Sequence, residues 1–187
     1  MRYKLGEIAK IQFGLHSSDI ETEGTFKYIQ VKNFSELNEF NLDECNCINL
    51  KFNEQSHLLE DGNVLFVGKG LRNFAWTYRR ELGSAVASSI FFVLKVNSNI
   101  VLPDYLTTVL NSTKYQNLFQ QLGAGSSIPS IRKSEFEAIT IDIPTFEVQK
   151  KIVAIKKNYS EDLALSKQII SEKEKLFNGI INKLINV

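Results

Sequence analysis

The chain changes hydrophobic period at one proline. Upstream of it, Ile139-Thr140-Ile141-Asp142-Ile143 alternates apolar and polar residues, the two-residue period of a half-buried strand. Pro144 fixes its own φ and biases Ile143 away from helix, so the strand ends there and a helix can begin just after. From Phe146 onward Leu163, Ile170, Phe177 and Leu184 recur every seven residues, and Ile169, Leu176, Ile180 and Ile181 widen the stripe. Lys167, Glu172, Lys173, Glu174, Lys175 and Lys183 fill most of the remaining positions. If helical from about Tyr159 to Leu184, this segment is roughly 40 Å long at about 1.5 Å per residue, and a helix of that length with one apolar stripe needs a partner. Ser166 and Lys173 interrupt the inner seam, so the pattern fits both a helix folded back on its own domain and one that pairs with another helix.

Shorter patterns precede the arm. Leu5, Ile8, Ala9 and Ile11 predict a short opening helix, and Phe26–Val31 alternates like a strand. Asp61-Gly62-Asn63 is a turn, and Val64–Val67, Phe74–Tyr78 and Ala85–Val96 are β-rich runs separated by glycine-containing loops. Pro103 opens a helix near Asp104–Asn111, and Thr113–Leu122 predicts another, polar and Gln-rich. Gly123–Ser127 reads as a flexible loop, and Ser134 with Glu137 as a capping box. The whole reads as one α+β domain over 1–145 followed by a helical arm over 146–187.

Composition bounds the class. The 187 residues, 43% hydrophobic, suffice for a full core, and no apolar run approaches a membrane span. Residues 1–20 carry Glu7 and Asp19 and have no continuous apolar core, so no signal peptide is expected and the location is expected to be cytoplasmic. Cys45 and Cys47 lack a second pair that would complete a zinc site, and are expected to be free thiols. The net charge of +1 hides an asymmetry: residues 1–61 hold six Lys/Arg against eleven Asp/Glu, whereas residues 62–134 hold eight against two. Positive charge confined to one region suits local neutralisation of phosphates, and β-propensity, which thins out acids in strands, is the competing explanation.

Motifs for catalysis do not assemble. Gly62 followed by Gly68-Lys69-Gly70 misses the phosphate-binding loop by spacing, by the absent hydroxyl after Lys, and by a strand where the loop should be. The three prolines are isolated, so no Pro-Pro-aromatic loop of an amino-methyltransferase is present. No Asp or Glu is followed two residues later by Lys, as a common metal-dependent nuclease requires. His16 and His57 stand alone. The chain is therefore expected to be non-catalytic, with no cofactor and no metal.

A reading surface does accumulate. Lys69, Arg72, Asn73, Arg79 and Arg80 combine phosphate-neutralising cations with side chains that can make bidentate contacts to base edges, and Trp76 and Tyr78 are either stacking groups or core. A second stretch offers Ser126, Ser127 and Ser130 as phosphate hydrogen-bonders and Arg132 with Lys133 as charge. For each cluster the competing reading is a solvated loop flanking a sheet.

The order of these features resembles the specificity subunits of type I DNA restriction-modification systems. The residues that carry the resemblance are Lys4–Ile11, the Tyr28–Val31 strand, Gly62–Gly70, Leu102–Leu106, Gly125–Ile131, and Ile143-Pro144 leading to Gln149 and the long helix. It implies a twisted, β-rich target-recognition domain with short helices, then a long helix in an antiparallel coiled coil. It also implies double-stranded DNA as ligand, with separate modification (methyltransferase) and restriction subunits as partners. Members of the family usually carry two domains and two helices in one chain, whereas this chain carries one of each. A half-subunit that forms a homodimer through Leu163, Ile170, Phe177 and Leu184, and so reads a palindromic bipartite target, reconciles the two. An isolated fragment is the other reconciliation. The competing class is a coiled-coil protein-protein interaction module for which DNA is irrelevant.

Overall fold

The run Val64-Leu65-Phe66-Val67 is apolar at every position because its strand is covered on both faces. In the computed structural model, which describes residues 1–123 and 129–185, this strand lies inside a four-stranded antiparallel sheet. Its alternate side chains enter two different cores: Val64 and Phe66 join Leu5, Ile8, Phe92, Leu94, Leu106, Phe119 and Phe136, whereas Leu65 and Val67 join Ile29, Phe34, Phe74, Tyr78 and Val93.

The elements in chain order are β1 (Arg2–Lys4), α1 (Leu5–Ile8), β2 (Ala9–Phe13), β3 (Phe26–Ile29), β4 (Cys47–Ile48), β5 (Val64–Val67), β6 (Ala75–Thr77), β7 (Ala85–Ala87) and β8 (Phe91–Val96). They continue with α2 (Pro103–Leu110), α3 (Thr113–Leu122), α4 (Lys133–Glu137), β9 (Thr140–Asp142) and α5 (Phe146–Ile185). The central sheet has the order β2-β8-β5-β6. A three-stranded sheet, β4-β3-β7, contains one parallel pair, β3 with β7, and a two-stranded ribbon joins β1 to β9. The fold is thus mixed helix and sheet ending in a long helix.

Three expectations shift. The opening helix is only Leu5–Ile8, and Ile11 lies on β2 opposite Leu94 of β8, so the apolar set that read as one helix is a helix turn followed by a strand. The run Ala85–Val96 is two strands: β7 pairs with β3 and β8 with β2 and β5, so the chain must change sheets, and it turns at Ser88 through Phe91 N–H donating to the Ser88 carbonyl at 3.0 Å. The capping interaction at α4 is two residues earlier than Ser134 and Glu137. Glu135 Oε2 accepts from the Arg132 backbone N–H at 3.2 Å, and Ser134 is already inside the helix.

One face of the central sheet is covered by α2, α3 and α4 over an aromatic stack. Phe136 lies 4.4 Å from Phe66 and 5.1 Å from Phe92, centroid to centroid, and Phe66 is 4.6 Å from Phe119. The other face carries a second aromatic cluster. Phe34 contacts Phe40, Phe74, Trp76 and Phe91, so Trp76 packs against the fold rather than presenting a stacking platform.

The arm starts earlier than its heptads alone indicate. α5 runs 40 residues from Phe146, about 60 Å at about 1.5 Å per residue. Its first turns lie against α2, with Ile152 and Val153 half-buried on the core. Gln149 is fully buried and accepts from Leu102 N–H at 2.8 Å while donating to the carbonyls of Ile100 at 3.2 Å and Pro144 at 3.0 Å. That side chain ties the start of α5 to the 100–102 segment and to Pro144. Beyond it Ile169, Ile170, Leu176, Phe177, Ile180, Ile181, Leu184 and Ile185 are all exposed.

Candidate nucleic-acid interface

The segment from Lys69 to Arg80 looked continuous in sequence, and the fold divides it. β5 and β6 form a hairpin whose connection is 68–74. Asn73 and Arg79 are six residues apart along it, about 20 Å at about 3.3 Å per residue, and so stand at opposite ends. Lys69, Arg72 and Asn73 are at the loop end.

That loop is braced. Gly68 N–H donates to Ile90 and Val67 N–H to Phe74, while Asn73 Nδ2 closes the hairpin onto the Val67 carbonyl at 2.7 Å. Lys69 is bridged to Ser130, with Gly70 N–H donating to Pro129 at 2.8 Å and Ile131 N–H to Gly68 at 2.9 Å. Two glycines are required here for different reasons. A Cβ at Gly68 would sit 2.7 Å from the Phe92 ring, and Gly70 has φ of 109°, a conformation that side chains resist. Arg72 Nη1 donates to the Ser35 carbonyl at 2.9 Å and its guanidinium lies 4.8 Å from the Phe74 ring centre. Between Gly70 and Arg72 the side chain of Leu71 is 92% exposed.

The bridge brings the second stretch alongside the first. Ser130 is exposed opposite Lys69, and Arg132, two residues on, has a side chain 82% exposed, with only a 3.8 Å ion pair to Glu135. Lys133 is paired with Glu137 at 3.4 Å and is half-exposed. Ser126 and Ser127 lie outside the described residues. The structure therefore gathers Lys69, Arg72, Ser130 and Arg132 at one edge. Asn73 is next to them, with its amide nitrogen donating to the Val67 carbonyl.

Arg79 and Arg80 belong to the other end of the hairpin and to a structural network. The Arg79 guanidinium is paired with Asp104 and lies 4.0 Å from Asp61, and the Arg80 backbone N–H donates to Asp61 at 2.9 Å. Positive charge at Arg79 is thus already balanced by carboxylates. Lys95 is similarly engaged: it donates to Glu60 at 2.6 Å, which holds the Glu60 carboxyl below its usual range.

The arm reaches the same neighbourhood indirectly. Lys167 pairs with Glu39 at 2.9 Å, on the loop whose Ser35 carbonyl receives Arg72. Elsewhere Asp142 is held below the ordinary aspartate range by hydrogen bonds from Arg2 and then Lys114, an arrangement that ties β1 to β9 and α3. Burial, reinforced by the neighbouring Cys47, pushes the Cys45 thiol up, and both cysteines are free. Among the described residues no three His, Cys, Asp or Glu side chains are placed to hold a metal ion, and no helix is long and apolar enough to cross a membrane.

Residues 1–175 match the family model described as the type I restriction modification DNA specificity domain. The chain belongs to this family. It is 29% identical over 122 residues to the specificity subunit of the type I restriction enzyme HindI of Haemophilus influenzae, an alignment that covers 64% of this chain and 24% of that protein. Its fold is similar to the S subunit of a type I restriction-modification system from M. genitalium, with a TM-score of 0.59 at 15% identity over 88% of this chain and 40% of that one. The HsdS subunit from Thermoanaerobacter tengcongensis gives 0.57 at 18% identity over 88% and 38%. A chain from a study of complex assembly and conformational transition of the type I R-M system gives 0.60 at 21% over 93% and 41%. The chain spans about a quarter of the curated relative and about two fifths of each of these structures. They share its fold.

Within the family frame, two residues stand out that the sequence pattern did not single out. Gln149 was visible only as a landmark after Ile143-Pro144, and its role rests on backbone partners far away in sequence. Leu71 sits inside the candidate surface but is apolar, and a search for cations and hydrogen-bonding groups passes over it.

Proposed function

We propose that this specificity-family chain is a sequence-specific DNA-binding unit that directs partner modification and restriction subunits to a bipartite target. The observation that carries this reading is the match of the DNA specificity domain across residues 1–175. The loop edge supports it physically: Lys69 and Arg132 offer exposed charge to phosphates, Ser130 a hydroxyl, and the hydrogen bonds around Gly68 and Gly70 hold that edge in one shape before DNA arrives. Chemistry belongs to the partners, an adenine-N6 methyltransferase and the nuclease that travels with it.

In the same proposal two copies pair antiparallel through Leu163, Ile170, Phe177 and Leu184. The last three of these are 58%, 63% and 70% exposed in the single chain, an apolar surface that a second helix would cover. A two-fold pair presents identical recognition units, and hence reads a palindromic bipartite site whose spacer is set by the arm. The test is retardation of duplexes selected from a random pool, with purified full chain in the presence of its modification subunit. The proposal expects one enriched motif and an affinity that falls steeply with salt. Equal affinity for all sequences at moderate salt would refute specificity and leave an interaction module.

A further inference from the structure

Among the described residues two large apolar side chains are more than nine-tenths exposed, Leu71 at 92% and Phe52 at 91%. They differ in what surrounds them. Phe52 is in the acidic first third of the chain, beside Glu54 in a short 3₁₀ turn. Leu71 is the tip of the β5–β6 connection, with Lys69 on one side, Arg72 on the other, and Ser130 bridged to Lys69.

The tip does not owe its exposure to a loosely held loop. Backbone hydrogen bonds from Gly70 to Pro129 and from Ile131 to Gly68, the Asn73 side chain on Val67, and Arg72 on Ser35 hold the chain on both sides of it. A leucine projected into water by a braced loop forgoes the roughly 2 kcal/mol that burying such a side chain contributes, and it has room to be covered only by something that approaches the cationic edge. A polyanion satisfies both conditions. On a DNA duplex, the apolar group that faces a protein between two phosphate-lined walls is the C5-methyl of a pyrimidine in the major groove.

Building on the DNA-recognition reading above, we propose that Leu71 is a specificity-determining residue that packs on the C5-methyl of one thymine in each half-site. Lys69 and Arg72 flank it and seat the loop by contacts with the backbone phosphates. Leu71 then discriminates thymine from cytosine at that position by apolar contact rather than by a hydrogen bond.

The experiment uses full-length chain and the duplex enriched from a random pool, with each thymine replaced singly by deoxyuridine, which lacks only the methyl. The wild type is expected to lose about fourfold in affinity at one position of the half-site, the factor that burying one methyl contributes. Leu71→Ala is expected to bind the thymine duplex about fourfold more weakly, to show no further loss at that position, and to keep its melting temperature. Phe52→Ala is expected to retain the wild-type uracil sensitivity. Uracil sensitivity absent from every position, or equally present in Leu71→Ala, would overturn the assignment while leaving sequence-specific binding intact. If no motif is enriched at all, the DNA-recognition reading fails and takes this inference with it.

Discussion

Replacing Gln149 with Ala tests whether the arm is fixed to the domain by one buried side chain. The substitution removes three hydrogen bonds, from Leu102 N–H at 2.8 Å and to the carbonyls of Ile100 at 3.2 Å and Pro144 at 3.0 Å. Gln149 is completely buried, so water does not readily take over those partners. At about 1 kcal/mol for each bond, the loss is about 3 kcal/mol. For a chain of this length each kcal/mol moves the midpoint by about 2–4 °C, so the melting temperature should fall by about 6–12 °C. Urea unfolding followed by circular dichroism measures the first quantity and calorimetry the second. Gln149→Glu sharpens the reasoning, because its carboxylate keeps the acceptor for Leu102 N–H and loses both donors. Burial would raise the folded pKa of that carboxyl above its unfolded value. Its destabilisation would therefore be least at acid pH and would grow as the pH rises through the folded pKa. A loss under about 1 kcal/mol in Gln149→Ala, or a Gln149→Glu protein indifferent to pH, would refute the joint.

The remaining predictions address charge and the arm. Asp142, held below its ordinary range by Arg2 and Lys114, contributes stability that is present above the unfolded aspartate pKa and is lost as pH falls through the folded one; Asp142→Asn should flatten this acid limb of the melting-temperature profile. Arg132→Ala should weaken DNA binding and its salt dependence with an unchanged melting temperature, whereas Arg79→Ala, which leaves Asp104 and Asp61 without their cation, should lower stability; the opposite assignment would move the interface to the other end of the hairpin. Phe177→Glu with Leu184→Glu should abolish self-association in sedimentation equilibrium without altering the domain's unfolding. Inserting four residues near Ser166, about 6 Å of helix, should lengthen the preferred spacer by one to two base pairs, and an unchanged spacer would argue against a ruler.

Local signals were legible where local chemistry decides the outcome. Pro144 ended β9 and let α5 begin at Phe146, Pro103 opened α2, and the apolar run at Val64–Val67 became the strand shared by both cores. What the sequence concealed depends on partners far away along the chain. Ile11 follows an apolar helix turn and continues its pattern, yet β8 supplies a strand partner some eighty residues later. Ala85–Val96 looked uninterrupted because the change of sheet at Ser88 leaves no proline or glycine mark. The candidate surface was partly legible for the same reason. Lys69, Ser130 and Arg132 converge through a bridge between residues sixty-one positions apart, whereas Arg79 and Arg80, close to Lys69 in sequence, are carried to the far end of the hairpin, where Arg79 is paired with acids and the Arg80 backbone N–H donates to Asp61. Neither outcome follows from charge counting.

Under the proposed function, this chain confers DNA sequence specificity on a partner that modifies adenine. The most direct measurement is the map of methylated adenines in DNA from cells that make the modification subunit with and without this chain. The account predicts a methylated motif that appears only with the chain and consists of two identical half-sites, inverted and separated by a fixed spacer. An identical methylation map in both cells would contradict it.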